Sequence, residues 1–397
     1  MPNSLKLFPN IKNLLLILLL SVALPVSFSA CSGDNGGAEE TAEETAEETA
    51  EETAEETAEE TDTPDPTPTN SPDPTPMPEE SPSVATSSTS GMSQFEQDEK
   101  NGIIRSPLNG TAVSEESLTR RILGVKIDNH LEARPQSGFE KADLIFEIWV
   151  EGLTRYLALF QASDADYLGP IRSMRPTDIT IQNHWAGTFI NSGGQNWVSA
   201  IAQNSSVRTF TEPEGTFRIN DRYPPHNLYG NTTILRELDN RGDYEKPLDP
   251  LWKFGEMPED ADPANQITMT YPYEFSSSWY WNPVLNYYEK STTGDPHYYL
   301  DSDGNAQRVT ADTLVVFEMD VYETCYDCTS GRAVPVTVTT GSGPAWVLAE
   351  GKVVSGTWSR ETDTEWFSLL DEDGNEIAVP PGRIWVTLAR NDRTTIQ

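Results

Sequence analysis

The sequence predicts an α+β protein: an N-terminal α/β domain with a mixed sheet over residues 103–250, and a C-terminal, mostly antiparallel β domain over residues 265–397. A disordered tether, residues 31–102, precedes both. Three observations lead there. Apolar runs at 125–127, 144–150 and 156–160 have strand length, and the pattern changes to a helical period near Pro176. From Ile267 on the texture is β, with turn pairs Asp303-Gly304, Glu350-Gly351 and Asp373-Gly374 between short apolar or aromatic runs. The tether has no apolar cluster to bury: residues 38–61 repeat Ala-Glu-Glu-Thr, and residues 62–82 are rich in proline.

Taken in order, the chain opens with a basic stretch holding Lys6 and Lys12, then an apolar run through Leu24, then Ser29 and Ala30 before Cys31. This pattern reads as a secretion signal over residues 1–30. Its Phe28-Ser29-Ala30-Cys31 ending resembles a bacterial lipoprotein signal, in which the cysteine becomes the lipidated first residue; Phe28 stands where Leu is usual. An uncleaved anchor is the alternative. Either way the body is exported, and with lipid on Cys31 it faces outward from the bacterial cell membrane. The tether then supplies reach. As an ideal coil it would average about 45–50 Å end to end, and charge and proline extend it.

The net charge is −36; residues 31–100 hold 21 acidic residues against one lysine, and the body beyond them is acidic as well. Nucleic acid is therefore not an expected partner, because binding it requires Lys and Arg to neutralise phosphates.

In the N-terminal domain, residues 121–129 read as a strand. Residues 144–151 and 154–161 read as a β-hairpin turning at Gly152 and Leu153, which would bring Glu151 near Arg155. A helix is expected over residues 171–185, with Pro176 in its first turn. Arg172, Ser173 and Arg175 then lie at a helix start, where free N–H groups attract anions. A short strand at 188–191 ends in Ser192-Gly193-Gly194, and a Pro-rich loop at 220–229 carries His226 and Asn227.

The segments IDNHLEARPQSGFEKADLIFEI, LTRYLALFQ, LGPIRSMR and PPHNLY resemble the N-terminal half of the YerB-like lipoprotein family. SWYWNPVLNYYEK, GSGPAWVLAEGKVVSGTW and DEDGNEIAVPPGRIWVTL resemble its C-terminal half. Leu153 departs from the family's usual second glycine in the hairpin turn. The resemblance implies export, lipidation and an α/β-plus-β build, and no particular reaction.

The candidate ligand-binding set is Arg155, Arg172, Ser173, Arg175, His226, Asn227 and Glu151. Several guanidinium groups at a helix start would make an anion pocket for a cell-envelope ligand or an acidic protein partner. The bland alternative pairs each Arg with Asp143, Glu147, Glu151 or Asp178. A second function is an envelope hydrolase or transferase with Glu147, Glu151 or His226 as acid and base. With Asp128 and His226, Glu147 and Glu151 could instead ligate a divalent cation, but no HExxH, GxSxG or P-loop pattern occurs, so no motif supports a metal centre or cofactor and neither is expected. Cys325 and Cys328 read as a disulfide staple in an exported loop, with free thiols or a redox or metal pair as alternatives. Trp279, Tyr280 and Trp281 read as core aromatics rather than a stacking platform.

Overall fold

Strands β1 (Leu123–Ile127), β2 (Leu144–Trp149) and β3 (Thr154–Phe160) are the three apolar runs, and every residue in them is buried. A strand covered on both faces needs an unbroken apolar run rather than strict alternation. β2 and β3 form the expected hairpin, with Leu144 opposite Leu159 and Trp149 opposite Thr154. Gly152, at φ +74°, is the left-handed residue of the turn. Gly152→Ala would meet nothing nearer than Tyr273 Cδ2 at 3.9 Å. Its expected cost is therefore the backbone penalty alone, about 1 kcal/mol, read as a small drop in the thermal unfolding midpoint.

β1 pairs antiparallel with β3 and parallel with β4 (Thr188–Asn191), which pairs parallel with β5 (Arg208–Thr211). Three short helices accompany these strands: α1 (Pro176–Gln182), α2 (Asn196–Gln203) and α3 (Thr232–Arg236). The helix expected over 171–185 begins only at Pro176. Proline disfavours helical geometry in the residue before it, and Arg175 is extended at φ −130°, ψ 160°. Arg172 to Met174 instead run as backbone bonded to Lys126 and Gly193.

In the second half, β6 (Gln266–Thr270), β7 (Ser276–Asn282) and β8 (Tyr287–Thr292) form an antiparallel meander. β9 (Thr313–Met319), β10 (Gly341–Ala349), β11 (Lys352–Arg360) and β12 (Ser368–Leu370) pair antiparallel. β13 (Ile384–Arg390) lies parallel to β9. The β10–β11 turn is Glu350-Gly351, both at positive φ, as a tight hairpin requires.

The computed structural model describes Phe95, Asp98, residues 100–324 and residues 333–397. Within them the two expected domains share one sheet. β13 pairs parallel with β2, Ile384 against Leu144 through Leu388 against Ile148. The strand order is β12-β11-β10-β9-β13-β2-β3-β1-β4-β5, with Asp262–Pro263 beside β11. The polar stretch at 239–266 therefore joins two halves of one compact unit. No described helix is long and apolar enough to cross a membrane.

The sheet divides the core by the two-residue strand period. Leu144, Phe146, Ile148, Leu157 and Leu159 face a layer with Ile179 and Ile181 of α1, Val198 of α2, Trp252 and Trp358. Ile145, Trp149, Tyr156, Ala158 and Phe160 face the meander, through Ile267, Met269, Trp279 and Tyr288. Trp279 is fully buried, as its aromatic run suggested, while Tyr280 is 39% exposed.

Candidate functional site

The site forms where β1 ends. Asp128 N–H bonds the Pro170 carbonyl, Arg172 N–H bonds the Lys126 carbonyl, and Ile171 N–H bonds Leu228. These ties bring the segment holding Arg172 and the loop holding His226 against the strand end. Arg222 adds a second tie, donating from its guanidinium to the carbonyls of Ala133 and Pro135. The 220–229 loop is thus held against the loop after β1.

Asp128 lies at the centre and is fully buried. Its carboxylate accepts from His226 Nδ1 at 2.7 Å and from the His130 backbone N–H at 3.1 Å. Arg172 Nε lies 3.4 Å from it, and Arg155 Nε 3.8 Å, an ionic rather than a hydrogen-bonding distance. Burial pushes the Asp128 pKa up, but His226, Arg155 and Arg172 outweigh it and hold the carboxyl well below the usual range. An ionised carboxylate only accepts, so His226 Nδ1 carries the proton and Nε2 points away from Asp128. That nitrogen lies 3.5 Å from Glu132 Oε2. The His130 ring stacks on His226, centroids 4.5 Å apart and planes 16° off parallel.

The arginines of the expected anion pocket have partners within the chain. The guanidinium groups do gather, but around carboxylates of the chain itself. Arg175 is bidentate to Glu151 at 2.7 and 2.8 Å. Arg155 is buried and donates to the Ser173 carbonyl at 3.3 Å. Burial and the neighbouring Arg175 lower its pKa, yet it stays charged at neutral pH. Glu151 feels Arg155 electrostatically, but its hydrogen bonds go to Arg175. The start of α1 is also taken: Asp178 accepts from Arg175 N–H at 2.7 Å and from Lys126 Nζ at 2.6 Å.

Asn227 does not join the cluster. It accepts from Arg218 at 2.8 Å and donates to the Ile219 carbonyl at 3.1 Å, closing its own loop. Glu147, a candidate acid or base, is turned into the core rather than toward the strand-end cluster. It is fully buried and accepts from Thr154, Ser277, Lys290 and Trp385. Cys31, Cys325 and Cys328, with the tether through residue 94, lie outside the described residues. Asp128 is legible in the sequence only as a possible cation ligand beside His226, and His130 and Glu132 are not among the candidates. Their signal is the alternation Asp-Asn-His-Leu-Glu directly after a strand.

Comparison with known proteins fits this architecture. Family models described as "Protein of unknown function (DUF3048) N-terminal domain" and its C-terminal counterpart match residues 108–245 and 267–386. The chain belongs to the DUF3048 family. It is 25% identical over 297 residues to "Putative lipoprotein YerB" of Bacillus subtilis (strain 168), covering 72% of this chain and 86% of that protein. The crystal structure of the Bacillus subtilis YerB protein has the same fold, with TM-score 0.64 and 21% identity over 74% of this chain and 99% of the other.

The two DUF3048 segments are bound together by a buried polar chain as well as by the sheet. Thr154, which bonds Glu147, accepts from Asn129 at 3.1 Å, and Asn129 in turn accepts from Gln136 at 3.3 Å. Gln136 meets His297 at 3.0 Å, and His297 meets Thr292 at 2.8 Å. Gln136 also donates to the Asp128 carbonyl at 3.0 Å. The C-terminal segment thus stabilises the loop that carries Asp128 and His130.

Proposed function

We propose that this DUF3048 protein is a lipid-tethered, outward-facing binding module that takes an anionic group of a cell-envelope component or partner beside Arg172. The observation that carries the reading is the charge count at the strand end. Arg155 and Arg172 both lie against Asp128, and Arg175 pairs with Glu151, so three guanidinium groups gather around two carboxylates within an otherwise acidic body. Arg172 is the most exposed of the three, with 21% of its side chain accessible. Ser173 and the Gly193-Gly194 turn lie alongside and offer small, polar backbone.

An anionic wall polymer at 100 times its dissociation constant should stabilise the folded protein by about 2.7 kcal/mol, raising the unfolding midpoint by roughly 5 °C. Arg172→Ala should abolish that shift. Arg393→Ala, which removes an exposed arginine elsewhere, should keep it. An unchanged shift in Arg172→Ala would defeat the reading.

The Asp128–His226 dyad supports a second reading, an envelope hydrolase or transferase. A carboxylate that fixes Nδ1–H leaves Nε2 as a proton acceptor. Turnover of wall fragments that vanishes in His226→Gln would favour it.

A further inference from the structure

We propose that His130, Glu132 and His226 form a binding site for one divalent transition-metal ion, with Zn2+ the best-matched probe. Each offers one ligand atom, and the three atoms lie within 4.8 Å of one another. The donor set, two imidazoles and one carboxylate, matches zinc sites that keep a position open for water or a ligand. The reading goes beyond anion binding and does not depend on it.

The geometry is partly assembled before any ion arrives. Ligands of a tetrahedral zinc ion at 2.0–2.1 Å stand roughly 3.3 Å apart. His226 Nε2 and Glu132 Oε2 are already 3.5 Å apart. Glu132 has open space in which to complete the closure, since its side chain is 71% exposed. His130 gives up a 3.3 Å bond from Glu132 N–H to its Nδ1, and its ring tilts out of the stack on His226 to face the ion.

A second observation points to the same ion. A metal-ligating histidine is held by a carboxylate on its other ring nitrogen, which fixes tautomer and orientation. Asp128 does this to His226 at 2.7 Å. Arg155, Arg172 and the His130 N–H hold Asp128 in turn. Arg222 ties the two ligand-bearing loops together. A purely structural contact between loops would need no outward-facing imidazole nitrogen opposed by a carboxylate.

The test is titration of the purified, folded protein with Zn2+ against a chromophoric chelator, and with Co2+ followed by absorption. The expected result is one equivalent bound, with ligand-field bands of nitrogen and oxygen donors. Glu132→Gln and His130→Ala alter side chains at the surface and should each weaken binding by at least tenfold. Asp128→Asn should weaken it 10–100-fold. Wild-type affinity in both Glu132→Gln and His130→Ala would overturn the proposal. So would no binding at 100 µM ion, or a thiolate charge-transfer band placing the ion on Cys31, Cys325 or Cys328. If His226→Ala fails to fold, the two surface variants still decide.

Discussion

Lys290→Ala is expected to destabilise the protein by about 3–5 kcal/mol. Lys290 is fully buried, and its ammonium lies 2.6 Å from Glu147 Oε2 and 2.5 Å from Ser277 Oγ. It sits over the rings of Trp279 at 4.8 Å and Trp385 at 5.0 Å. Burial lowers its pKa, and Glu147 opposes that fall. Removing the ammonium leaves the Glu147 carboxylate without a counter-charge at a site water cannot reach. The pair as a whole gains little over an apolar replacement, because two charges were desolvated to make it. Glu147→Leu combined with Lys290→Met should therefore recover most of the loss. Denaturant unfolding of wild type, both single variants and the double variant gives the coupling energy. A Lys290→Ala protein as stable as wild type, or a double variant no better than the singles, would remove the pair from the account. The pair links residues 147 and 290, so its loss should lower both sequence halves in one transition.

The fold was legible where a local pattern carries it. The β2–β3 hairpin could be read from two apolar runs around Gly152, and the turns at Glu350-Gly351 and Asp373-Gly374 from their dipeptides. What could not be read was partner choice. Ile384 through Leu388 is an apolar run like several others, and nothing local tells it to lie parallel to Leu144 through Ile148. That pairing is what merges the expected domains. The site divides in the same way. Arg155, Arg172, Arg175 and His226 were legible as chemistry, but their partners were not. Asp128 comes 98 positions before His226, and they meet through the crossing of the 168–171 segment over the end of β1 and the Arg222 tie between their loops. Glu147 stood among the carboxylates expected to meet nearby arginines, whereas its counter-ion, Lys290, comes from the other half.

Asp128→Asn is expected to cost about 3–5 kcal/mol at neutral pH and to flatten the acid side of the stability profile. The carboxylate is fully buried, and Arg155, Arg172 and His226 all direct positive or donor groups at it. Its amide replacement keeps the shape but removes the charge those groups share. The sign follows from linkage. Asp128 has a folded pKa below its unfolded value, so the folded state binds fewer protons and its contribution is complete above the unfolded value of about 3.9. Below that value the contribution is lost as pH falls toward the folded pKa. Wild type and Asp128→Asn should therefore differ most near neutral pH and converge in acid. Urea unfolding midpoints measured from pH 7 down to pH 3 make the comparison. Parallel profiles with a constant gap would mean that the variant's loss comes from packing, and that the charges around Asp128 are not coupled through its ionisation.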